Sequence, residues 1–424
     1  MLTHADNELL VRTNAGTPMG ETLRRYWIPA CLSSEVAEPD GPPVRVKLMG
    51  EDLVAFRDTS GRVGLIDEFC AHRRTSLWLG RNEECGLRCV YHGWKYDVDG
   101  NCVDMMNEPA ESKLKADVKL KAYPTVDMGG VIWAYMGPKD KQPAEPRFEW
   151  TQVPEDRRGV SKNVQECNWL QALEAGVDTA HVPILHRLLT SDSKRRGGYN
   201  PNSEFAKGSA PVVEVDVTDY GYRYAGIRIL PGERKFVRTY QYVMPFHQIR
   251  PEDMTPYGGP PGRPFISGHM WVPTDDENCM VYNWAYTFDE TPLTEWEALE
   301  TSLGRGPGDL DDNFLNVRNK SNGYMIDREV QKTETFTGIE GVNNQDQAAQ
   351  EMMGPIVDRS KEFLTASDLA IVQMRRLLIQ AVRTVSDGGD PPAIADNYYM
   401  ARAVDRFIGM EDNWLEVLLP EINP

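Results

Sequence analysis

The sequence has no run approaching the roughly 18 consecutive apolar residues of a membrane-spanning helix, and its opening, Met1-Leu-Thr-His-Ala-Asp6, lacks the basic-then-apolar order of a secretory leader. A membrane partner is therefore not expected, and the cytoplasm is the expected location. Positive charge is also in short supply. Lys and Arg number 46 against 64 Asp and Glu in 424 residues, a formal net charge of -18. Duplex nucleic acid would be repelled by such a body, so nucleic acid is excluded as a main partner. Cysteine is sparse: seven thiols, at 31, 70, 85, 89, 102, 167 and 279, are odd in number and scattered, unlike the dense even framework of a disulfide-stapled domain. There is no internal repeat with a period of about 20 to 50 residues and no low-complexity tract. Hydrophobic residues at 41% and charged residues at 26% leave ample material for a packed core, which excludes disorder as the main state.

What is present is organised along the chain. At about 150 residues per domain the length predicts two or three domains. Residues 7–27 read as a helical lead-in with a turn at Thr17-Pro-Met-Gly20, and 1–43, closing on the loop-like Glu38-Pro-Asp-Gly-Pro-Pro43, is expected to precede the first domain. Residues 44–150 carry short β-like pieces, Val44–Leu48, Leu53–Phe56, Val63–Ile66 and Val131–Tyr135, and end in a proline-rich stretch that reads as a linker. This predicts a small all-β domain. In 151–424, Asn168–Gly176 reads as a helix, while Tyr222–Leu230, Phe236–Met244, Phe265–Val272 and Met280–Phe288 read as one antiparallel sheet. A helix over Ser367–Val385 follows, with Leu369, Met374, Leu377, Leu378 and Ala381 at helical spacing after the capping-like Thr365-x-x-Asp368. Strands followed by helices predict an α+β fold.

Four of the seven histidines fall into two tight groups. In the first, Cys70-Ala-His72 is followed after sixteen residues by Cys89-Val-Tyr-His92. Two thiolates and two imidazoles suit zinc or iron. One reading is a tetrahedral zinc site. The other is a dinuclear cluster with both thiolates on one iron and both imidazoles on the other, the Rieske arrangement. The second pair continues as Cys89-Val-Tyr-His-Gly-Trp-Lys-Tyr96, and here the sequence resembles the Rieske domain of aromatic-ring-hydroxylating oxygenases. The resemblance implies that Cys70, His72, Cys89 and His92 hold a [2Fe-2S] cluster, with Gly93 and Trp94 packed beside it. Neutral imidazoles in place of two thiolates make such a cluster less negative and raise its potential. Cys85, four residues before Cys89, reads as a bystander.

The second group lies in Asn168-Trp-Leu-Gln-Ala-Leu-Glu174-Ala-Gly-Val-Asp178-Thr-Ala-His181-Val-Pro-Ile-Leu-His186. Asp178 and His181 are three apart and can share a helix face. His181 and His186 are five apart, about 140° round an ideal helix, so Pro183 is expected to break the helix and return His186 to the same centre. Two imidazoles and a carboxylate with open positions suit a mononuclear iron that binds dioxygen. A di-iron carboxylate bundle would need two Glu-x-x-His motifs, which the chain lacks. The Asn-x-x-Gln-x-x-Glu-x-x-x-Asp-x-x-His-x-x-x-x-His pattern closely resembles the catalytic signature of the same oxygenases, which implies a third ligand from a downstream Asp. Candidates are Asp346, Asp358, Asp327 and the Asp311-Asp312 pair; the setting of Asp346, Asn343-Asn-Gln-Asp346, most resembles the family's ligand-bearing segment. The resemblance further implies that Asp178 is a bridge, bonded to His181 and, across a subunit boundary, to His92 or His72 of a neighbouring chain.

The resemblance spans nearly the whole chain and is closest to the phthalate dioxygenase branch, through Met1-Leu-Thr-His-Ala-Asp-Asn-Glu-Leu-Leu10, Gly86–Lys95 and Met353-Gly-Pro-Ile-Val-Asp-Arg-Ser360. It implies an oxygenase that takes electrons from NADH through a flavin and iron-sulfur reductase or a ferredoxin. With dioxygen it would oxidise an aromatic carboxylate by cis-dihydroxylation or O-demethylation, as a homotrimer or stacked hexamer. An anionic substrate entering a body of net charge -18 needs local positive charge. Arg228, Arg238, His247 and Arg250 lie on or beside the expected pocket strands and are the candidates. Ala210-Pro-Val-Val213, where one of the branch's arginines would be sought, is apolar, which leaves room for a lignin-derived acid instead of phthalate. Two competing readings are a Rieske-type electron carrier and a zinc-binding structural protein. Neither uses the second Asp/His/His group.

Overall fold

The computed structural model describes residues 2–109, 111–191, 198, 210–251, 265–295, 297–298, 304–306, 308–395 and 398–424. The chain forms two compact units, Thr13–Glu145 and Met1–Arg12 with Pro146–Pro424. No helix among the described residues is long and apolar enough to cross a membrane.

The first unit is built from three small antiparallel sheets. Val44–Leu48, Glu51–Arg57, Val63–Asp67 and Ala122–Tyr123 make one, and the fully buried Val131–Tyr135 pairs on either side with Trp27–Leu32 and Thr125–Met128 to make another. Because Trp27–Leu32 supplies an edge of that sheet, residues 13–43 belong to this unit and are not a separate lead-in. Thr17 is likewise the N-cap of a helix over Pro18–Leu23, its hydroxyl accepting from the Gly20 amide, with Pro18 at the first helical position where a missing N–H costs nothing. The third sheet, Arg81–Glu83, Gly86–Arg88, Trp94–Tyr96 and Cys102–Met105, packs a core of Val54, Phe56, Ile66, Leu77, Leu87 and Tyr96 into which Cys70 and Cys89 are built.

The second unit is an eight-stranded antiparallel sheet flanked by helices. Its strands are β1 Arg158–Gln165, β2 Val212–Thr218, β3 Gly221–Leu230, β4 Arg234–Val243, β5 His247–Pro251, β6 Phe265–Pro273, β7 Cys279–Thr287 and β8 Asp405–Ile408. They lie in the order β1-β7-β6-β5-β4-β3-β2, with β8 on β4. The four long apolar strands read from sequence form β3, β4, β6 and β7. The polar β1, Arg-Gly-Val-Ser-Lys-Asn-Val-Gln, has no hydrophobic alternation because the side chains it buries are Lys162, Asn163 and Gln165. Among its helices are α1 His4–Val11, α2 Trp169–Val177, α3 Val182–Leu185, α4 Val342–Glu351 and α5 Leu369–Ser386. The capping box of Thr365 and Asp368 opens a 3-10 turn, Ala366–Asp368, that runs into α5.

Helix α2 fixes where the chemistry can be. Trp169, Leu170, Ala172, Leu173 and Val177 bury one side of it, and at Gly176 a Cβ would fall 2.0 Å from the ring of Trp271 on β6, so only glycine lets helix and sheet approach this closely. On the same helix Glu174 is buried between two guanidinium groups, Arg359 at 3.0 Å and Arg375 at 2.6 Å, and Arg375 also pairs with Glu362.

Candidate metal centres and active-site cavity

Two tight loops hold the first constellation. Backbone bonds from Arg74 N to Cys70 O (2.9 Å) and from Cys70 N to Thr75 O (3.0 Å) close one; Gly93 N to Cys89 O (3.0 Å) and Cys89 N to Trp94 O (2.8 Å) close the other. Gly93 closes its loop with φ of +74°, and a Cβ there would press on Met106. The rings of His72 and His92 are thereby brought to 4.4 Å between centroids, and His72 stacks on Trp94 at 4.7 Å. Tyr96 Oη accepts from the Ala71 amide (3.2 Å) and shares a hydrogen bond with Cys70 Sγ at 3.3 Å. Burial pushes the Cys89 thiol up. The buried Nδ1 of His72 makes no hydrogen bond among the described residues, which an acceptor tolerates when a metal ion takes its lone pair. Two buried thiols and two paired imidazoles therefore fit a Rieske cluster. Cys85 is exposed in a turn with φ of +58°, its amide bonded to Thr59.

The second constellation is assembled from α2, α3 and α4. Helix α2 ends at Val177, five residues before α3 begins, and Asp178 is its extended C-cap residue. The helix thus breaks at Asp178 and not at Pro183, which lies in the first turn of α3 where proline is tolerated. Asp178 and His181 consequently meet through a turn and not along one helix face. Asp178 Oδ1 accepts from the Ala180 amide at 2.7 Å, and Oδ2 faces His181 Nδ1 at 3.2 Å. His181 and His186 flank α3, and their Nε2 atoms lie 3.3 and 3.2 Å from one oxygen of Asp346 on α4. One donor atom from each residue lies within 4.8 Å of the others.

Tautomers follow from the partners. A carboxylate only accepts, so His181 Nδ1 donates to Asp178. Gln345 donates its amide to Ile339 O at 2.8 Å, which turns Oε1 to His186 Nδ1, also at 2.8 Å. Both imidazoles in their neutral form therefore aim an Nε2 lone pair at the Asp346 carboxylate. Three acceptors converging on one point repel one another unless a cation lies between them, and this donor set fits a mononuclear iron. Without one, burial works against charge on His181, but its bonds to Asp178 and Asp346 prevail and push it up to about 10. Asp346, despite burial, is held far below the usual carboxylate range by the same two imidazoles.

Three of the other Asp candidates are engaged locally, and Asp312 is exposed. Asp358 caps a 3-10 turn through Ser360 N and pairs with Lys361. Asp327 caps the helix Arg328–Thr333, and Asp311 accepts from Asn313 and Leu315 amides.

A cavity of about 100 Å³ adjoins the His181, His186 and Asp346 corner. Of the four residues read as substrate candidates, Arg238 and Arg250 line it. Arg238 pairs with Asp405 at 2.9 Å, and Arg250 donates to Ser267 at 2.8 Å. The other two lie elsewhere: Arg228 is buried and donates to Thr179 O, and His247 is buried against Phe148 and Phe246. Sequence reasoning missed Arg305, His269, Asn283, Gln248 and Gln345. The strand alternation could have found three of them, since Gln248 and Arg250 share one face of β5, and His269 and Asn283 share the corresponding face of β6 and β7. Nothing local marks Arg305.

Residues 26–124 match the Rieske [2Fe-2S] domain family, and residues 134–414 match the family described as LigXa C-terminal domain like. The chain is 43% identical over 401 residues to the phthalate 4,5-dioxygenase oxygenase subunit of Pseudomonas putida, an alignment covering 92% of this chain and 88% of the relative. It is 33% identical over 415 residues to the 5,5'-dehydrodivanillate O-demethylase oxygenase subunit of a Sphingobium species, covering 95% and 86%. Among solved structures, Pseudomonas putida CBB5 NdmA with caffeine is similar in fold, with a TM-score of 0.61 at 18% identity over 92% of this chain and 98% of that one.

Proposed function

Because the chain belongs to the Rieske-type non-heme iron oxygenases of multicomponent systems, in the branch with a LigXa-like C-terminal domain, we propose that it oxidises a carboxylated aromatic ring, phthalate-like or lignin-derived. The reaction is ring cis-dihydroxylation or O-demethylation. The observation that carries the reading is the Asp346 oxygen facing His181 and His186 Nε2 at 3.3 and 3.2 Å beside a cavity lined by Arg238, Arg250 and Arg305. A mononuclear iron held by these three residues would supply dioxygen activation, with electrons drawn from a [2Fe-2S] cluster on Cys70, His72, Cys89 and His92.

The protein's own residues do the rest. Asp178 and Gln345 hold the two imidazoles in the Nδ1–H form, so that Nε2 stays a ligand. The guanidinium groups offset the general negative charge where an aromatic carboxylate enters, and a carboxylate fixed there sets which bond of the ring or its methoxy group faces the metal corner. That pose separates dihydroxylation from demethylation. An electron carrier or a zinc-binding structural protein has no use for the His181, His186 and Asp346 group.

The partners are a flavin and iron-sulfur reductase or a ferredoxin, fed by NADH in the cytoplasm. The chain works as a homotrimer or stacked hexamer in which Asp178 also bridges to His72 or His92 of a neighbour. The deciding experiment incubates the purified protein with a reductase, NADH and a panel of aromatic acids, scoring oxygen uptake, cis-diol and formaldehyde. Asp346→Ala is expected to keep the Rieske absorbance while losing mononuclear iron and all turnover, and Asp358→Ala to keep both. No oxygen uptake with any carboxylated ring would refute the substrate class, and full iron content in Asp346→Ala would refute the ligand set.

A further inference from the structure

A line of buried amides crosses the second unit and ends on a histidine in the cavity wall. Asn344 Nδ2 donates to Glu340 O (3.0 Å) and its Oδ1 accepts from Asn316 (2.8 Å); Asn316 Oδ1 accepts from Asn163 (3.2 Å), and Asn163 Oδ1 from Asn283 (3.1 Å). Asn283 Oδ1 then meets His269 Nδ1 at 2.7 Å. A backbone carbonyl accepts from the NH2 group of each amide: Glu340 O from Asn344, Gly304 O from Asn316, Val164 O from Asn163 and Val281 O from Asn283. Carbonyls only accept, so none of these amides can turn over without placing its oxygen against another oxygen.

The orientation is transmitted to the ring. Asn283 presents an acceptor, His269 Nδ1 must carry the proton, and Nε2 is left with a lone pair. His269 is 5% exposed and lines the cavity, and its Nε2 makes no hydrogen bond among the described residues. Its row across the sheet, Gln248 on β5, His269 on β6 and Asn283 on β7, is in register and lines the cavity throughout. Burial, then the charges of Arg250 and Arg305, hold the imidazole neutral; Asn283 and Asp346 act the other way without prevailing. The cavity thus offers cationic groups for an anion and, at His269 Nε2, a neutral acceptor fixed by its tautomer.

We propose that His269 is a specificity-determining residue whose Nε2 accepts a hydrogen bond from a hydroxyl group on the ring of an aromatic acid substrate. The proposal rests on the aromatic-acid reading and narrows it to acids that also carry a donor, which phthalate, a dianion at neutral pH, does not. A site built around one buried acceptor discriminates strongly against an analogue lacking the matching donor, because the acceptor is then left without a partner.

The test titrates the metal-loaded protein, without reductant, with benzoate and with 2-, 3- and 4-hydroxybenzoate, following heat of binding. At least one hydroxybenzoate is expected to bind roughly tenfold or more tightly than benzoate. That preference should fall below about threefold in His269→Phe, which keeps the ring volume but removes the acceptor. Asn283→Ala, which releases the tautomer, is expected to lose most of the preference too and serves if the phenylalanine variant does not fold. Nitrogen-15 shifts of the unsubstituted protein should report Nδ1 of His269 protonated and Nε2 bare. Equal binding of benzoate and all three hydroxybenzoates, a preference that survives in His269→Phe, or a proton on Nε2 would each overturn the role of His269 while leaving the aromatic-acid reading standing. Binding of no acid at all would overturn both.

Discussion

Gln345 Oε1 lies 2.8 Å from His186 Nδ1, and Gln345 is the residue immediately before Asp346 on α4. One helical turn therefore supplies both the carboxylate of the proposed iron site and the group that orients an imidazole of it. His181 has the corresponding support from a carboxylate, Asp178, so the two imidazoles are held by partners of different charge. Gln345→Leu is expected to lower iron affinity about 10- to 100-fold, the usual consequence of removing such a partner. Competition against a chelator, with the Rieske absorbance as an internal reference, measures it; unchanged affinity would show that packing alone orients His186.

Glu174 on α2 joins the site to the core. It accepts from Arg359 through both oxygens at 3.0 Å and from Arg375 at 2.6 Å, and Arg359 is wholly buried. Removing one partner of a buried ion network strands the others, so Glu174→Ala should cost about 3–5 kcal/mol. Chemical denaturation followed by tryptophan fluorescence reads this, and a midpoint equal to that of the unsubstituted protein would contradict it.

His247 gives the second unit an acid sensitivity. Burial between Phe148 and Phe246 holds its imidazole down to about 3. The unfolded chain takes up a proton below its ordinary value of about 6.5, while the folded chain resists it until about 3. The folded state thus loses stability as the pH falls through that window, by at most about 1.4 kcal/mol per unit. His247→Phe should remove this slope: relative to the unsubstituted protein, it is expected to gain about 2 kcal/mol between pH 8 and pH 5. Parallel stability curves for the two proteins over that range would refute the assignment.

Much of the candidate chemistry was legible because it is local. The Cys70/His72 and Cys89/His92 loops each place their donors within four residues, and the long strands β3, β4, β6 and β7 announce themselves by apolar runs. The placement of the helix break was not legible. Pro183 is the conspicuous residue, yet the chain leaves the helix at Asp178, whose side chain satisfies the Ala180 amide and offers an alternative to helical bonding. Arg228 and His247 lie on strands of the right sheet, but whether a strand residue faces the cavity or the core depends on register, and a shift of one residue exchanges the faces.

The sequence by itself determined the kinds of donor this protein can offer, the division into a β-rich part and an α+β part, and the need to offset a charge of -18 around any anionic ligand. Only the tertiary structure decided which carboxylate meets His181 and His186, because Asp346 is 160 residues from His186 and reaches it through the packing of α4 against α2. The direction of each proton was likewise settled by folding. The lone pairs of His181, His186 and His269 point where they do because Asp178, Gln345 and Asn283 occupy the opposite ring nitrogens; nearby backbone groups, the Ala180 amide and the Ile339 and Val281 carbonyls, orient those partners, but only packing brings Gln345 across 159 residues of chain to His186.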